Sequence, residues 1–238
     1  MKKIYIPLFV LQLLFMYESS TAQVEKRAGK IIQDGYPGGI IETVELEKSS
    51  VVEGSFFINN NWAVGNVLLY SGKVIKGMPL KYNLRDELLT LLDENEISRV
   101  IRDDKLAKFN WFDIEKKKNI HFVNCRDYKL NDAPIVGVLE VLTEGKTELL
   151  LYRDLVIQKG YYSVTHDAGQ KNDEYKIYEI FYLATDKILF EVKNKKALLE
   201  YMNKESEEIK SYIKKQKLLI KDPEDLIRIV DYYNKIIE

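Results

Sequence analysis

Ile135-Val136-Gly137-Val138-Leu139-Glu140-Val141-Leu142 and Thr147-Glu148-Leu149-Leu150-Leu151-Tyr152-Arg153-Asp154-Leu155-Val156-Ile157 are two apolar, β-branched runs joined across Glu144-Gly145-Lys146. Runs of this length and composition on either side of a glycine-containing turn read as a β-hairpin. Inside the second run Leu149-Leu150-Leu151-Tyr152 is apolar at successive positions, and so is Val67-Leu68-Leu69-Tyr70. A strand with one face in water alternates instead. Both segments are therefore expected in the middle of a sheet, with another sheet, helices or a bound apolar ligand over the second face.

The neighbouring sequence carries the same kind of signal. Ile40, Glu42, Val44 and Leu46 alternate with Ile41, Thr43, Glu45 and Glu47, and Val51 to Ile58 is β-branched and aromatic. Val64 to Tyr70 and Lys73 to Tyr82 flank Ser71-Gly72 as a hairpin, with Pro79 placing the second strand at an edge or a bulge. The segment 84–101 fits either a helix, from Leu84, Leu88, Leu91 and Leu92, or a hairpin turning at Asp93-Glu94-Asn95; its strand-rich neighbours favour the hairpin. Lys105 to Asp113 with Asn119 to Cys125, and Tyr175 to Leu183 with Ile188 to Val192, complete the pattern. About ten to twelve short strands with no helix between them predict a mainly β domain over residues 40–193, an antiparallel sandwich or open barrel.

From Asn194 onward the period changes. Asn194 suits a cap for Lys195 to Met202, Lys204 to Gln216 is a charged helical segment, and Asp222-Pro223-Glu224-Asp225 starts another helix with a cap and a proline in its first turn. Leu226, Ile229, Val230, Tyr233, Ile236 and Ile237 lie at helical spacing on one stripe. Residues 194–238 are thus expected to be a tail of about three helices packed on the β domain, because short one-striped helices do not stand alone in water.

The opposite end of the chain reads as an address. Lys2 and Lys3 precede an apolar run from Ile4 to Tyr17, and Ser20 and Ala22 place small residues before a cut between Ala22 and Gln23. This predicts a signal peptide over residues 1–22, followed by a loosely held leader over 23–39. With no Cys at the cut, lipidation there is not expected, and no later stretch approaches membrane-spanning length. Localisation in the periplasm, at the cell surface or outside the cell follows.

Composition narrows the chemistry. Lys and Arg number 36 against 37 Asp and Glu, so no overall field draws the chain to nucleic acid. Cys125 is the single cysteine and His121 and His166 the only histidines, which leaves no thiolate or histidine-rich metal cluster. On a strand His121 and Cys125 are separated by four steps of about 3.3 Å, roughly 13 Å, too far to act as a nucleophile and base. His166 and Asp167 point apart in an extended chain, and Asp167, Asn172, Asp173 and Glu174 lack the EF-hand spacing. No glycine-rich phosphate loop or nucleophile elbow is present, so no catalytic, cofactor or metal-ligating residue is assigned.

Lysines outnumber glutamates between Asn194 and Lys221, a pattern read as a solvated helix face. Of the 16 tyrosines, Tyr161, Tyr162, Tyr178, Tyr182, Tyr232 and Tyr233 are candidates for an amphipathic recognition surface. If a ligand occupies the interior, Leu149, Leu151, Tyr178 and Tyr182 are expected to face it.

The signal ending at Ala22-Gln23, the phrase Met78-Pro79-Leu80-Lys81-Tyr82-Asn83 with its charged hairpin, and the order from Tyr182 through Lys195-Lys196-Ala197-Leu198-Leu199 to Tyr232-Tyr233-Asn234 resemble Bacteroidota-type exported proteins of unknown function. The resemblance implies a periplasmic or surface location and supplies no site residues. The functional expectation is a non-catalytic binding or scaffold module whose partner is a protein or an apolar ligand. A carrier of a lipid-like ligand between sheet and helices is the alternative, and a secreted hydrolase comes third.

Overall fold

The hairpin around Gly145 is formed by β8 (Val138–Thr143) and β9 (Glu148–Gln158), with Leu139 opposite Tyr152 and Glu140 opposite Leu151. These strands belong to a computed structural model that describes residues 52–93, 95–131, 133, 135–161, 167–170 and 172–238. The expected signal peptide and its Ala22-Gln23 cut, the leader, the alternating segment from Ile40, and Tyr162 and His166 lie outside the described residues.

Nine further strands join the hairpin: β1 (Ala63–Leu69), β2 (Val74–Asn83), β3 (Leu88–Leu92), β4 (Ser98–Arg102), β5 (Leu106–Asp113), β6 (Lys118–Asn124), β7 (Lys129–Leu130), β10 (Glu174–Thr185) and β11 (Ile188–Glu191). All eleven form one sheet in the order β4-β3-β2-β1-β5-β6-β8-β9-β10-β11-β7. The chain is mainly β, as its sequence predicts. Each hairpin is laddered to the next, so the strands do not separate into two sheets, and β4 and β7 remain unpaired with each other, so the sheet is not closed. The pairing is antiparallel except between β11 and β7, where Ile188 and Leu189 run parallel to Lys129 and Leu130. Two residues are too few to show a strand period, which is why β7 has no signature in the sequence.

Residues 84–101 resolve as the hairpin, with Leu88–Leu92 laddered to 98–102. Pro79 sits in β2, an interior strand, so of the edge or bulge expected the edge does not hold. Its missing N–H does no harm because β3 pairs only with Leu80 to Asn83, leaving Pro79 past the end of that ladder. Pro79 pairs with Val64 of β1, and the register shifts just beyond, between Gly65 and Val67, the irregularity that is the other expectation.

One face of β1 to β6 coils over a core that includes Val67, Leu80, Tyr82, Leu89, Phe109, Trp111 and Phe122. Phe109 and Phe122, directly paired across β5 and β6, stack at 4.5 Å, and Tyr82 stacks on Phe109 at 5.8 Å. The two doubly apolar segments differ. In β9 both faces are covered, Leu149 lying under the helices and Leu150 in a cluster with Cys125, Tyr128 and Tyr182. Of Val67 to Tyr70, only Val67 and Leu69 are buried; Leu68 is half-buried and Tyr70 exposed, its hydroxyl donating to Asp127 at 2.9 Å.

The tail packs on the sheet. Helices α1 (Lys195–Met202), α2 (Ser206–Gln216) and α3 (Pro223–Ile237) bury Leu198, Met202, Ile209, Ile213, Leu226, Ile229 and Val230 against Leu149 and Leu183. Asn194 accepts from the Ala197 N–H and Asp222 from the Asp225 N–H, the two caps expected. A single 3-10 turn at Asn203–Glu205 carries α1 into α2 without a loop. The tail is therefore two helical runs instead of three separate helices, because no Pro or Gly between Met202 and Ser206 ends the first. Among the described residues no helix is long and apolar enough to cross a membrane.

Candidate functional site

The end of β2 and the turn after it face the start of β8 and the outer half of β9 across a cleft of about 240 Å³. Tyr82, Leu84, Arg85 and Glu87 line one side, and Gly137, Tyr152, Arg153, Asp154, Leu155, Ile157 and Tyr175 the other. A segment over residues 53–58 is hydrogen-bonded to the strands on either side. Its Ile58 N–H donates to the Tyr82 carbonyl at 3.1 Å and its Phe56 carbonyl accepts from Leu84 at 2.8 Å. At its far end Glu53 exchanges backbone hydrogen bonds with Asp173 and Tyr175, both at 2.8 Å.

Tyr82 is 1% exposed, and its hydroxyl is buried without a hydrogen-bond partner. A buried hydroxyl left unpaired costs about 1–3 kcal/mol, so this position is unusual for a residue serving packing alone. Burial raises its pKa well above the ordinary tyrosine value, with Asp103, Cys125 and Glu87 adding to the effect, so the hydroxyl keeps its proton. Gly137 adopts φ +88°, and a Cβ there would lie 3.5 Å from the Tyr82 hydroxyl. Tyr152, on the opposite wall, is pushed up to about 12, by burial first and then by Cys125, Asp154 and Glu87.

The charges around the cleft are unequally matched. Arg85 holds Asp86 through two contacts of 2.9 and 2.8 Å and lies 4.5 Å from the Phe56 ring. Arg153 is taken by Glu140 at 2.6 Å and Glu179 at 3.5 Å. Glu87 has no ion pair among the described residues, and burial, then Asp103, raises its carboxyl above the ordinary range. Asp103 is raised by burial as well, although Asn124 donates to its carboxylate at 2.9 Å. Arg85 and Arg153 are both committed to carboxylates, whereas Glu87 and Asp154 line the cleft with no ion-pair partner among the described residues.

The residues singled out from sequence fall elsewhere. Leu149 and Leu151 share one face of β9, opposite Leu183 and Phe181, while Tyr182 stands opposite Leu150 on the other face. Leu149, Leu151 and Tyr182 are buried, and Tyr178 is exposed at 55%. The four do not share a face, so no common ligand surface is assembled from them. His121 is exposed on β6, whereas Cys125 is fully buried in the turn that follows. In the 167–174 loop, Asp173 accepts from Lys159 and Gly160, Asn172 donates to Glu53, and Glu174 pairs with Lys176. The tyrosines are dispersed: Tyr161 is exposed, Tyr233 is buried, and Tyr232 stacks on Tyr212 at 4.0 Å while donating to Glu208.

Tyr82, Glu87 and Tyr152 were not distinguishable as a site in the sequence. Tyr82 closes a strand and Glu87 sits in a charged turn, and neither spacing resembles a motif. No family model, curated protein or solved structure matches this chain.

Proposed function

We propose that the chain is an exported, non-catalytic binding module that holds a small molecule in the cleft between the β2–β3 turn and β9. The observation that carries this reading is the Tyr82 hydroxyl, protonated, buried and without a partner on the cleft wall. The cleft of about 240 Å³ is smaller than the roughly 300–1,000 Å³ of a drug-sized pocket, which suits a ligand of a few heavy atoms better than a lipid chain. Export rests on the Lys2-Lys3 start, the apolar run and the small residues before Gln23.

Native mass spectrometry of the protein from its own cells tests the binding role. A small-molecule adduct on the wild type that is lost in Tyr82→Phe is the expected result, and an identical mass profile for both overturns it. Cell fractionation with N-terminal sequencing tests export. A cytoplasmic protein still beginning at Met1 removes the extracytoplasmic part.

A further inference from the structure

We infer that the cleft selects a small organic ammonium ion, with Glu87 and Asp154 as its counter-charges and the Tyr82 and Tyr152 hydroxyls as its hydrogen-bond partners. This rests on the binding role proposed above and specifies its ligand.

An anion entering the cleft would need an uncommitted cation, and Arg85 and Arg153 are both held by carboxylates, at 2.8 and 2.6 Å. It would also meet Glu87 and Asp154 on the cleft lining, with the Asp103 charge acting on Tyr82 as well. A positive charge meets the opposite situation. It supplies the counter-ion that Glu87 lacks, and its N–H groups can be accepted by carboxylate and phenol oxygens together. Burial and like charge already hold the Glu87 carboxyl above its ordinary range, the mark of a negative site without compensation.

A bare metal ion does not answer the same need. Among the described residues no group of three His, Cys, Asp or Glu side chains has metal-binding geometry. The cleft walls also include Leu84, Tyr152, Leu155, Ile157 and Tyr175. These surfaces suit an apolar body carrying one ammonium head, the body resting on the leucines and the head between carboxylate and phenol.

Three probes of equal length separate the possibilities: n-butylamine, which is an ammonium ion at neutral pH, n-butanol and butyrate. Methyl NMR of Leu84, Leu155 and Ile157 reports whether each enters the cleft. The expected result is saturable shifts with butylammonium in the millimolar range or tighter, and binding at least about ten-fold weaker for the other two. Glu87→Gln is expected to weaken butylammonium about ten-fold, and Tyr82→Phe to weaken it as well. If butanol or butyrate binds as tightly and is lost in Tyr82→Phe, the ammonium assignment falls while the binding role stands. Unchanged affinity in Glu87→Gln also overturns the assignment. If none of the probes moves the cleft methyls, the assignment is overturned, and an absent adduct in native mass spectrometry then overturns the binding role too.

Discussion

Asn234 of α3 and Thr147 at the β8–β9 turn exchange two buried hydrogen bonds: the Thr147 N–H donates to the Asn234 amide oxygen at 2.9 Å, and the Asn234 amide nitrogen donates to the Thr147 carbonyl at 2.8 Å. The side-chain amide here imitates a strand backbone and ties the last helix to the sheet. Removing it leaves a buried donor and a buried acceptor unpaired, so Asn234→Ala is expected to cost about 2–4 kcal/mol in urea denaturation. A Cβ at Gly145 would lie 2.5 Å from the Asn234 amide nitrogen, so Gly145→Ala disrupts the same clasp. The double variant should lose less than the sum of the two, and strict additivity would show that they act separately.

The helices also roof Leu149 and Leu183, each 0% exposed. A chain ending at Val192 uncovers these side chains and their neighbours on β8 to β11. It is expected to aggregate on size-exclusion chromatography, since an apolar patch of that kind seeks another surface. A soluble monomer with an unchanged urea midpoint would make the tail an independent appendage.

Cys125 is fully buried, and burial, aided by Asp103 and Glu87, pushes its thiol up. It is expected to resist a thiol reagent in the native protein and to react once in denaturant. Rapid native labelling would show that the 125–128 turn opens easily.

Much of this fold was legible in the sequence because its signals are local. The Gly145 turn, the hairpin at Asp93 and the caps Asn194 and Asp222 each depend on a few adjacent residues. The single continuous sheet was not legible, because ladder partners such as Asn124 and Val138 are chosen by register between distant segments. The faces of β10 followed the same rule: pairing Leu150 with Tyr182 fixes Tyr182 away from Leu149, and no pattern within β10 announces it. The candidate site was the least legible part. Tyr82 meets Gly137 and Tyr152, residues far along the chain, only in the folded protein, and no local spacing announces that its hydroxyl ends without a partner.

Asp93 organises the β3–β4 turn, accepting from the Asn95 and Ile97 N–H groups and from the Arg99 guanidinium, at 2.9, 2.9 and 2.8 Å. Burial alone would raise its carboxyl, but the hydrogen bonds from Ile97, Arg99 and Asn95 outweigh it and hold the pKa below the ordinary value of 3.8. The native state therefore binds this proton less tightly than the unfolded chain does. The resulting stabilisation is complete above the ordinary aspartate range and disappears as pH falls through the lower, folded-state pKa. Asp93→Ala is expected to cost about 1–2 kcal/mol at neutral pH, with the gap to wild type closing in acid. A gap independent of pH would show that packing, not charge, accounts for the loss.

Glu87 has the opposite linkage. Burial, then the Asp103 charge, raises its folded-state pKa, so the native protein holds this proton more tightly than the unfolded chain. Ionised Glu87 therefore opposes folding above its folded-state pKa, and the penalty vanishes below the ordinary glutamate range. Glu87→Gln should raise stability slightly at neutral pH, within about 1 kcal/mol for a partly exposed group, and leave it unchanged in acid. The same substitution is expected to weaken butylammonium binding, so gain of stability and loss of affinity should appear together, as they do where a site keeps an unfavourable charge for its ligand. Thermal denaturation of wild type and variant across the acid range, with and without butylammonium, measures both. Destabilisation at neutral pH would mean that Glu87 is a structural carboxylate with a partner of its own.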